Sequence, residues 1–402
     1  MPAFGSRTRI IALVGENENH ALYNASEGLG GFFMLQGYQH QIINMMGLDG
    51  GTQLTTALKT GDIAFVYGFA GVGSQLSDSK SVNLWTAYQV PFLSFWHDHP
   101  AYNYRQHIVP SPYILNCYHV QDHLQVRERY LPSVNSATLL HSAAGPNPPA
   151  RAHPWKKRSR KFLYVKTAYQ PEQIAAKWEE YPLLLRNVLW DLVEQAQKDR
   201  NLDLAAAAEI LFHKNDHPIT DLDAFMGVIQ EVDHYIRAWR SDRLARALLA
   251  WPSDIFGRGW DYLSGQPSKA TIHPAFPSWQ LAPTALRYRL VANSNPLWRD
   301  GIHERVIVGI ATGCVTLTDH TIKSDKIFGD LPNYVGLEWT DDIQQSLETA
   351  WEKAYDDADY LEASEQRVIQ QEYTQENFMR PLEKAITNLL NRASTSFQII
   401  NS

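Results

Sequence analysis

Only two cysteines occur in 402 residues, Cys117 and Cys314, nearly half the chain apart. So few thiols give no basis for a disulfide framework, and a reducing cytoplasm is the expected setting. Long apolar runs are missing too. None approaches the ~20 residues that span a bilayer, and the N-terminus lacks the charged-then-apolar order of a signal peptide. Positive charge is not in excess: 36 Lys and Arg face 43 Asp and Glu, a net charge of −7. That balance argues against a general nucleic-acid binder. There are no biased tracts and no repeat at solenoid spacing. What remains is an ordinary globular composition, 44% hydrophobic and 20% charged. A chain of this length divides naturally into two domains of about 150–200 residues.

The first half alternates short apolar runs with helical stretches. Arg9–Gly15 reads as a buried strand, Ser26–Tyr38 as a helix, and Asp62–Tyr67 and Pro91–Trp96 as further strands. Strands alternating with helices predict a parallel sheet covered on both faces. Ligands of such sheets sit at the carboxyl ends of the strands. The segments expected there are Glu16–His20, Gly68–Ser74 and His97-Asp98-His99-Pro100. The glycines after Tyr67 lack the spacing and the following helix of a dinucleotide fingerprint. His97, Asp98 and His99 invite a metal reading, but this spacing supplies two ligands at most on one face.

The second half restarts the pattern. Lys161–Lys166 reads as a strand, followed by a helical block to about Ala250. Within it Ile174, Trp178, Tyr181, Leu185, Val188 and Leu192 fall at helical spacing, with Pro182 expected to bend or divide the segment. A second stripe, Leu222, Phe225, Ile229, Val232, Ile236 and Trp239, begins at Asp221 as N-cap. Strands resume at Asp254–Phe256, Leu286–Asn293 and Cys314–Asp319, and the chain is helical and charged beyond Asp341. The domains are read as 1–150, a basic linker at 151–160, 161–380 with a helical insertion, and a terminal helix and tail at 381–402. Arg151, Lys156, Lys157, Arg158, Arg160 and Lys161 crowd the boundary among prolines. They fit a solvated linker, or a contact with anionic lipid or glycan that would bring the protein to a membrane surface.

Gly301–Asp319 is the most informative stretch. It reads as a helix from about Ile302 to Thr312, a stop at Gly313 and a strand into Asp319. His303, Glu304 and Arg305 lie in the first turn, where free N–H groups and the helix dipole suit an anion. The same residues fit an ordinary capped helix.

Three motifs in order, DIFGRGW at Asp254–Trp260, ANSNPLWRDGIHERV, and IATGCVTLTD, resemble the nucleotide-sugar half of GT-B glycosyltransferases, the CgeB-like group in particular. His97–Pro100 resembles the first domain of those proteins. The resemblance implies an α/β fold of two Rossmann-like domains facing a cleft. It also implies a metal-independent transferase with no cofactor beyond its nucleotide-sugar donor. Many members carry Glu where this chain has Val308. The whole chain is similar, more narrowly, to the retaining β-Kdo transferase modules of bacterial O-antigen polymerases. That similarity implies CMP-β-Kdo as donor, a glycan of the O-antigen or related surface polysaccharide as acceptor, and a covalent intermediate on an aspartate. It also implies that the module is part of a larger polymerase at the inner face of the membrane.

Asp233 is the position matching that nucleophile. On spacing alone it equally forms a surface pair with Arg237. The donor is expected at Lys166, Gly257, Arg258, Gly259, His273, Ser294, Asn295, His303, Glu304 and Arg305. His273 is taken as a loop residue, and Lys166 as a phosphate or carboxylate partner or an ordinary solvated lysine. The acceptor is expected at Glu18, His97 and His99, with Asp98 or a neighbouring histidine near the incoming hydroxyl. The remaining alternatives are a CgeB-like enzyme using a nucleoside-diphosphate sugar and a non-catalytic nucleotide- or glycan-binding module.

Overall fold

The computed structural model describes residues 7–15, 21–140, 153–215, 219, 221–339, 343–355 and 360–400. The chain forms two compact units, Met1–Ala144 with Gln375–Ser402, and Gly145–Thr374. The helix Gln375–Ile400 therefore belongs with the first unit, and the second unit ends six residues earlier than in the sequence reading, at Thr374 and not at 380. Phe378, Met379, Leu382, Ile386 and Leu389 are its core residues, packed with Phe33, Phe65 and Tyr67 of that unit.

Six strands build the first sheet: β1 (Arg9–Val14), β2 (Gln39–Asn44), β3 (Ile63–Phe69), β4 (Phe92–Trp96), β5 (Ile114–Tyr118) and β6 (Ser136–Leu139). Their order is β2-β1-β3-β4-β5-β6, and every neighbouring pair is parallel. The central strands β3, β4 and β5 are buried along their whole length, which is why they read as unbroken apolar runs. The first helix spans Ala21–Leu35 rather than 26–38.

The second sheet has β7 (Ser159–Val165), β8 (Ser253–Phe256), β9 (Ala270–His273), β10 (Tyr288–Ala292), β11 (Val315–Asp319) and β12 (Tyr334–Leu337). All pairs are parallel in the order β12-β11-β10-β7-β8-β9. Counted within the unit, this is the doubly wound order 3-2-1-4-5-6. Its direction of winding reverses between β7 and β10, and ligands of such sheets bind at the carboxyl ends beside that reversal. Between β7 and β8 four longer helices intervene: Pro171–Lys177, Leu183–Lys198, Leu204–Lys214 and Leu222–Leu248. Pro182 is the N-cap of the second of these, so it divides the segment, and Asp221 caps the fourth by accepting from the Asp223 and Ala224 amides. Among the described residues no helix is long and apolar enough to cross a membrane.

Candidate functional site

The reversal point between β7 and β10 is charged. Lys166 leaves β7 with its backbone N–H bonded to the Phe256 carbonyl at 2.9 Å, and its ammonium donates to the Ser294 carbonyl at 3.1 Å. From the helix Glu304–Ala311, Arg305 donates to Asn293 Oδ1 at 3.1 Å. From Leu222–Leu248 come Asp233, Arg237 and Arg240, three and four residues apart and so on one face. Arg237 Nε lies 2.6 Å from Asp233 Oδ2, and Arg240 Nη1 lies 3.3 Å from Asp319 Oδ1. Asp319 also accepts from the Asn295 amide at 2.6 Å and from the Trp339 indole.

Four cations, Lys166, Arg237, Arg240 and Arg305, gather here with the carboxylates Asp233 and Asp319, and Glu304 also acts on Arg305. Burial, then Arg305 and Arg237, push the Lys166 ammonium well below the ordinary lysine range, against the pull of Asp319 and Asp233. Burial likewise raises the Asp319 carboxyl despite Arg240 beside it. Cations gathered in a partly buried place are chemistry that suits an anion.

Ser294 and Asn295 are fully buried and spend their polar atoms inside the site. Ser294 Oγ is 3.0 Å from the Tyr164 hydroxyl, and Asn293 Nδ2 donates to Asn295 Oδ1 at 2.8 Å. They hold Lys166 and Arg305 in place. His303 is the N-cap of its helix, accepting from the Arg305 amide at 3.3 Å, and it stacks on Trp298. Glu304 is exposed in the first turn. Val308 packs against the core of Leu163, Ala285, Tyr288 and Val291, so this position carries apolar packing here.

The glycines of DIFGRGW lie against Lys166. Gly257 has φ +157°, and a Cβ there would stand 1.9 Å from the Lys166 carbonyl oxygen. Gly259 has φ +80°, and its Cβ would meet the Ala168 carbonyl at 3.0 Å. Arg258, between them, is exposed, and its carbonyl accepts from the Ala168 amide at 2.8 Å. His273 is not in a loop. It ends the edge strand β9, stacks on Phe256 with ring centroids 4.4 Å apart, and reaches Asp254 Oδ1 at 3.0 Å. Its placement follows from pairing of β9 with β8, which sets His273 opposite Phe256.

The basic boundary segment is not uniformly solvated either. Arg158 is buried and donates to the Thr312 carbonyl at 2.6 Å, Arg160 lies over Trp351, and Lys161 pairs with Asp254. Residues 159–160 already belong to β7, whose flank these side chains cover.

In the first unit, His97 and Asp98 are exposed at the carboxyl end of β4. His97 lies between Phe69 and His119, with ring centroids 5.5 Å and 4.8 Å away. His99 is buried and caps the turn Pro100–Asn103, accepting from the Ala101 amide at 3.2 Å. Glu18 lies outside the described residues. Among the described residues no group of three or more His, Cys, Asp or Glu is placed to hold a metal ion.

Lys166, Ser294, Asn295, Arg305 and Asp233 are thus brought together, while His273 and Arg258 lie toward the β8–β9 side. Sequence reasoning missed Arg240, Asn293 and Asp319, and took Arg237 only as a surface partner. The one legible signal was the spacing of Asp233, Arg237 and Arg240 along a single helix face.

No family model matches the chain, and no curated protein matches it. Solved structures do resemble it. An α-glucosyltransferase in complex with UDP-glucose and DNA containing an abasic site superposes with a TM-score of 0.55 at 8% identity, over 94% of this chain and 99% of that one. The DNA-modifying enzyme β-glucosyltransferase gives 0.52 at 10% identity over the same shares. The T4 phage enzyme BGT with its UDP-glucose substrate gives 0.51 at 11%, again over 94% and 99%. At such identities the likeness is one of fold, and the fold is the α/β two-domain GT-B type.

Proposed function

We propose that this protein is a glycosyltransferase whose second unit holds a nucleotide-activated sugar at the carboxyl ends of β7 and β10. The observation that carries the reading is the cluster of cations Lys166, Arg237, Arg240 and Arg305 at the reversal point of a doubly wound sheet. The GT-B fold supports it. The donor we infer is CMP-β-Kdo, which brings a phosphodiester and a sugar carboxylate, two anionic charges for these cations to meet. Lys166 and Arg305 face the phosphate.

In this reading Asp233 Oδ attacks the anomeric carbon, the bond from that carbon to the phosphate oxygen breaks, and CMP leaves with the electron pair. The acceptor hydroxyl then displaces the carboxylate at the same carbon, giving net retention, and its proton passes to a general base. The acceptor is a glycan of the O-antigen or related surface-polysaccharide kind. The chain would work at the inner face of the membrane as part of a larger polymerase.

Two observations favour other readings of detail. The superposed α-glucosyltransferase and T4 BGT hold UDP-glucose, which favours a nucleoside-diphosphate donor of the CgeB-like kind. The burial of Asp233 against Arg237 favours a carboxylate that orients the guanidinium instead of attacking sugar. Nucleotide selectivity tests the donor: CMP should raise the melting temperature far more than UDP or GDP at equal concentration. Stabilisation by UDP alone would transfer the site to the diphosphate class. Stabilisation by none of the three would remove the donor site from the second unit.

A further inference from the structure

The DIFGRGW segment contains a residue whose placement is directed at Lys166 and not at any ligand. Trp260 is buried, yet its indole N–H donates to the Lys166 backbone carbonyl at 2.7 Å. The same carbonyl is the atom that a Cβ on Gly257 would strike. The Lys166 amide is bonded in turn to Phe256, and the Ala168 amide to Arg258. The turn that carries Lys166 off the end of β7 is therefore gripped from one side by the turn that follows β8. Each polar atom of the grip is a backbone group of 166–168 meeting residues 256–260.

A strand end needs no such grip for the fold alone. β7 and β8 already pair from Phe162 through Val165. Beyond the last pair the chain would be at liberty to swing, carrying the ammonium with it. A lysine side chain has four rotatable bonds, and an ammonium desolvated among guanidinium groups has every electrostatic reason to move away. Its aim at the Ser294 carbonyl depends on where its backbone stands.

The geometry points to Trp260 as a positioning residue for the anion site: its indole N–H, through the Lys166 carbonyl, with Gly257 clearing the space, sets where the Lys166 ammonium meets the donor's phosphate. The inference rests on the donor reading above, and it gives the two glycines a function different from ligand contact. They allow the turns to touch.

A double-mutant cycle decides it, read as the dissociation constant for CMP, and for UDP in parallel, by calorimetry. Trp260→Phe keeps the buried ring and removes the N–H. Its affinity should fall about tenfold, the value of one well-placed hydrogen bond. Lys166→Met should lower affinity on its own. In the Lys166→Met background Trp260→Phe should then change affinity by less than twofold, because its route to the ligand is gone. Equal losses from Trp260→Phe in both backgrounds would mean that Trp260 only supports the fold, and would overturn the proposal. So would an unchanged affinity in Trp260→Phe alone. If Lys166→Met binds as wild type does, or wild type binds neither nucleotide, the donor reading itself fails and this proposal falls with it.

Discussion

Replacing Lys166 with methionine separates what the site costs the fold from what it does for a ligand. Methionine approximates the length of the lysine stem and drops the charge. In the unliganded protein one hydrogen bond to the Ser294 carbonyl disappears, worth about 1 kcal/mol. Against that loss, a partly buried ammonium beside Arg305 and Arg237 is removed, and the two contributions should nearly cancel. Bound phosphate changes the comparison. A charge-assisted hydrogen bond contributes about 1.5–3 kcal/mol, so affinity for CMP should fall about ten- to a hundredfold.

At a concentration a hundred times the wild-type dissociation constant, bound nucleotide stabilises by about 2.7 kcal/mol, and a thirtyfold weaker variant would retain about 0.9 kcal/mol. In melting temperature that is a shift of roughly 5–10 °C falling to about 2–4 °C. The pH dependence has a defined sign. A lysine whose ammonium is disfavoured by folding binds its proton more readily in the unfolded chain. Unliganded stability should therefore rise with pH, from the lowered folded value up to about 10.5, and Lys166→Met should flatten that rise. Scanning calorimetry with and without CMP reads all of this. Undiminished nucleotide stabilisation in the variant, or an unliganded melting point many degrees below wild type, would mean that Lys166 serves the fold and not the ligand.

Other substitutions probe the surroundings. Gly257→Ala forces an L side chain to φ +157° and into the Lys166 carbonyl. The backbone strain alone should lower stability by about 1–3 kcal/mol in urea unfolding, and nucleotide binding should weaken with it. Asp254→Asn leaves Lys161, His273 and Tyr288 without their shared carboxylate and should lose about 1.5–3 kcal/mol at neutral pH. Burial opposes ionisation of Asp254, yet His273, Tyr288 and Lys161 together hold its carboxyl below the usual range. Its stabilisation is thus present above about pH 4 and lost as pH falls through the lowered value, so the variant should show a shallower acid limb.

The strands were legible because a parallel sheet covered on both faces needs unbroken apolar runs, and Ile63–Phe69 and Phe92–Trp96 supply them. Asp221 and the stripe from Leu222 likewise declared the longest insertion helix, since cap and periodicity are local. The site was only half legible. Lys166 looks like any lysine at a strand end until Ser294, 128 residues away, closes over it. His273 looked like a loop residue because the four-residue edge strand before it, Ala270–His273, is too short and mixed to show a period. Arg158 looked solvated because nothing near it in sequence announces the Thr312 carbonyl that it meets. Pairings across the sheet are invisible to periodicity. The gathering of Lys166, Arg237, Arg240 and Arg305, which come from separate elements, was invisible for the same reason.

The proposed mechanism takes an activated sugar up at this cationic crossing point and passes it through Asp233. Acid quench of the protein with CMP-β-Kdo, followed by peptide mapping in a mass spectrometer, tests it most directly. The peptide containing Asp233 should gain a Kdo-sized mass, and the gain should be absent in Asp233→Asn, which should still bind CMP. Release of CMP with no adduct, or an adduct on another residue, would contradict it.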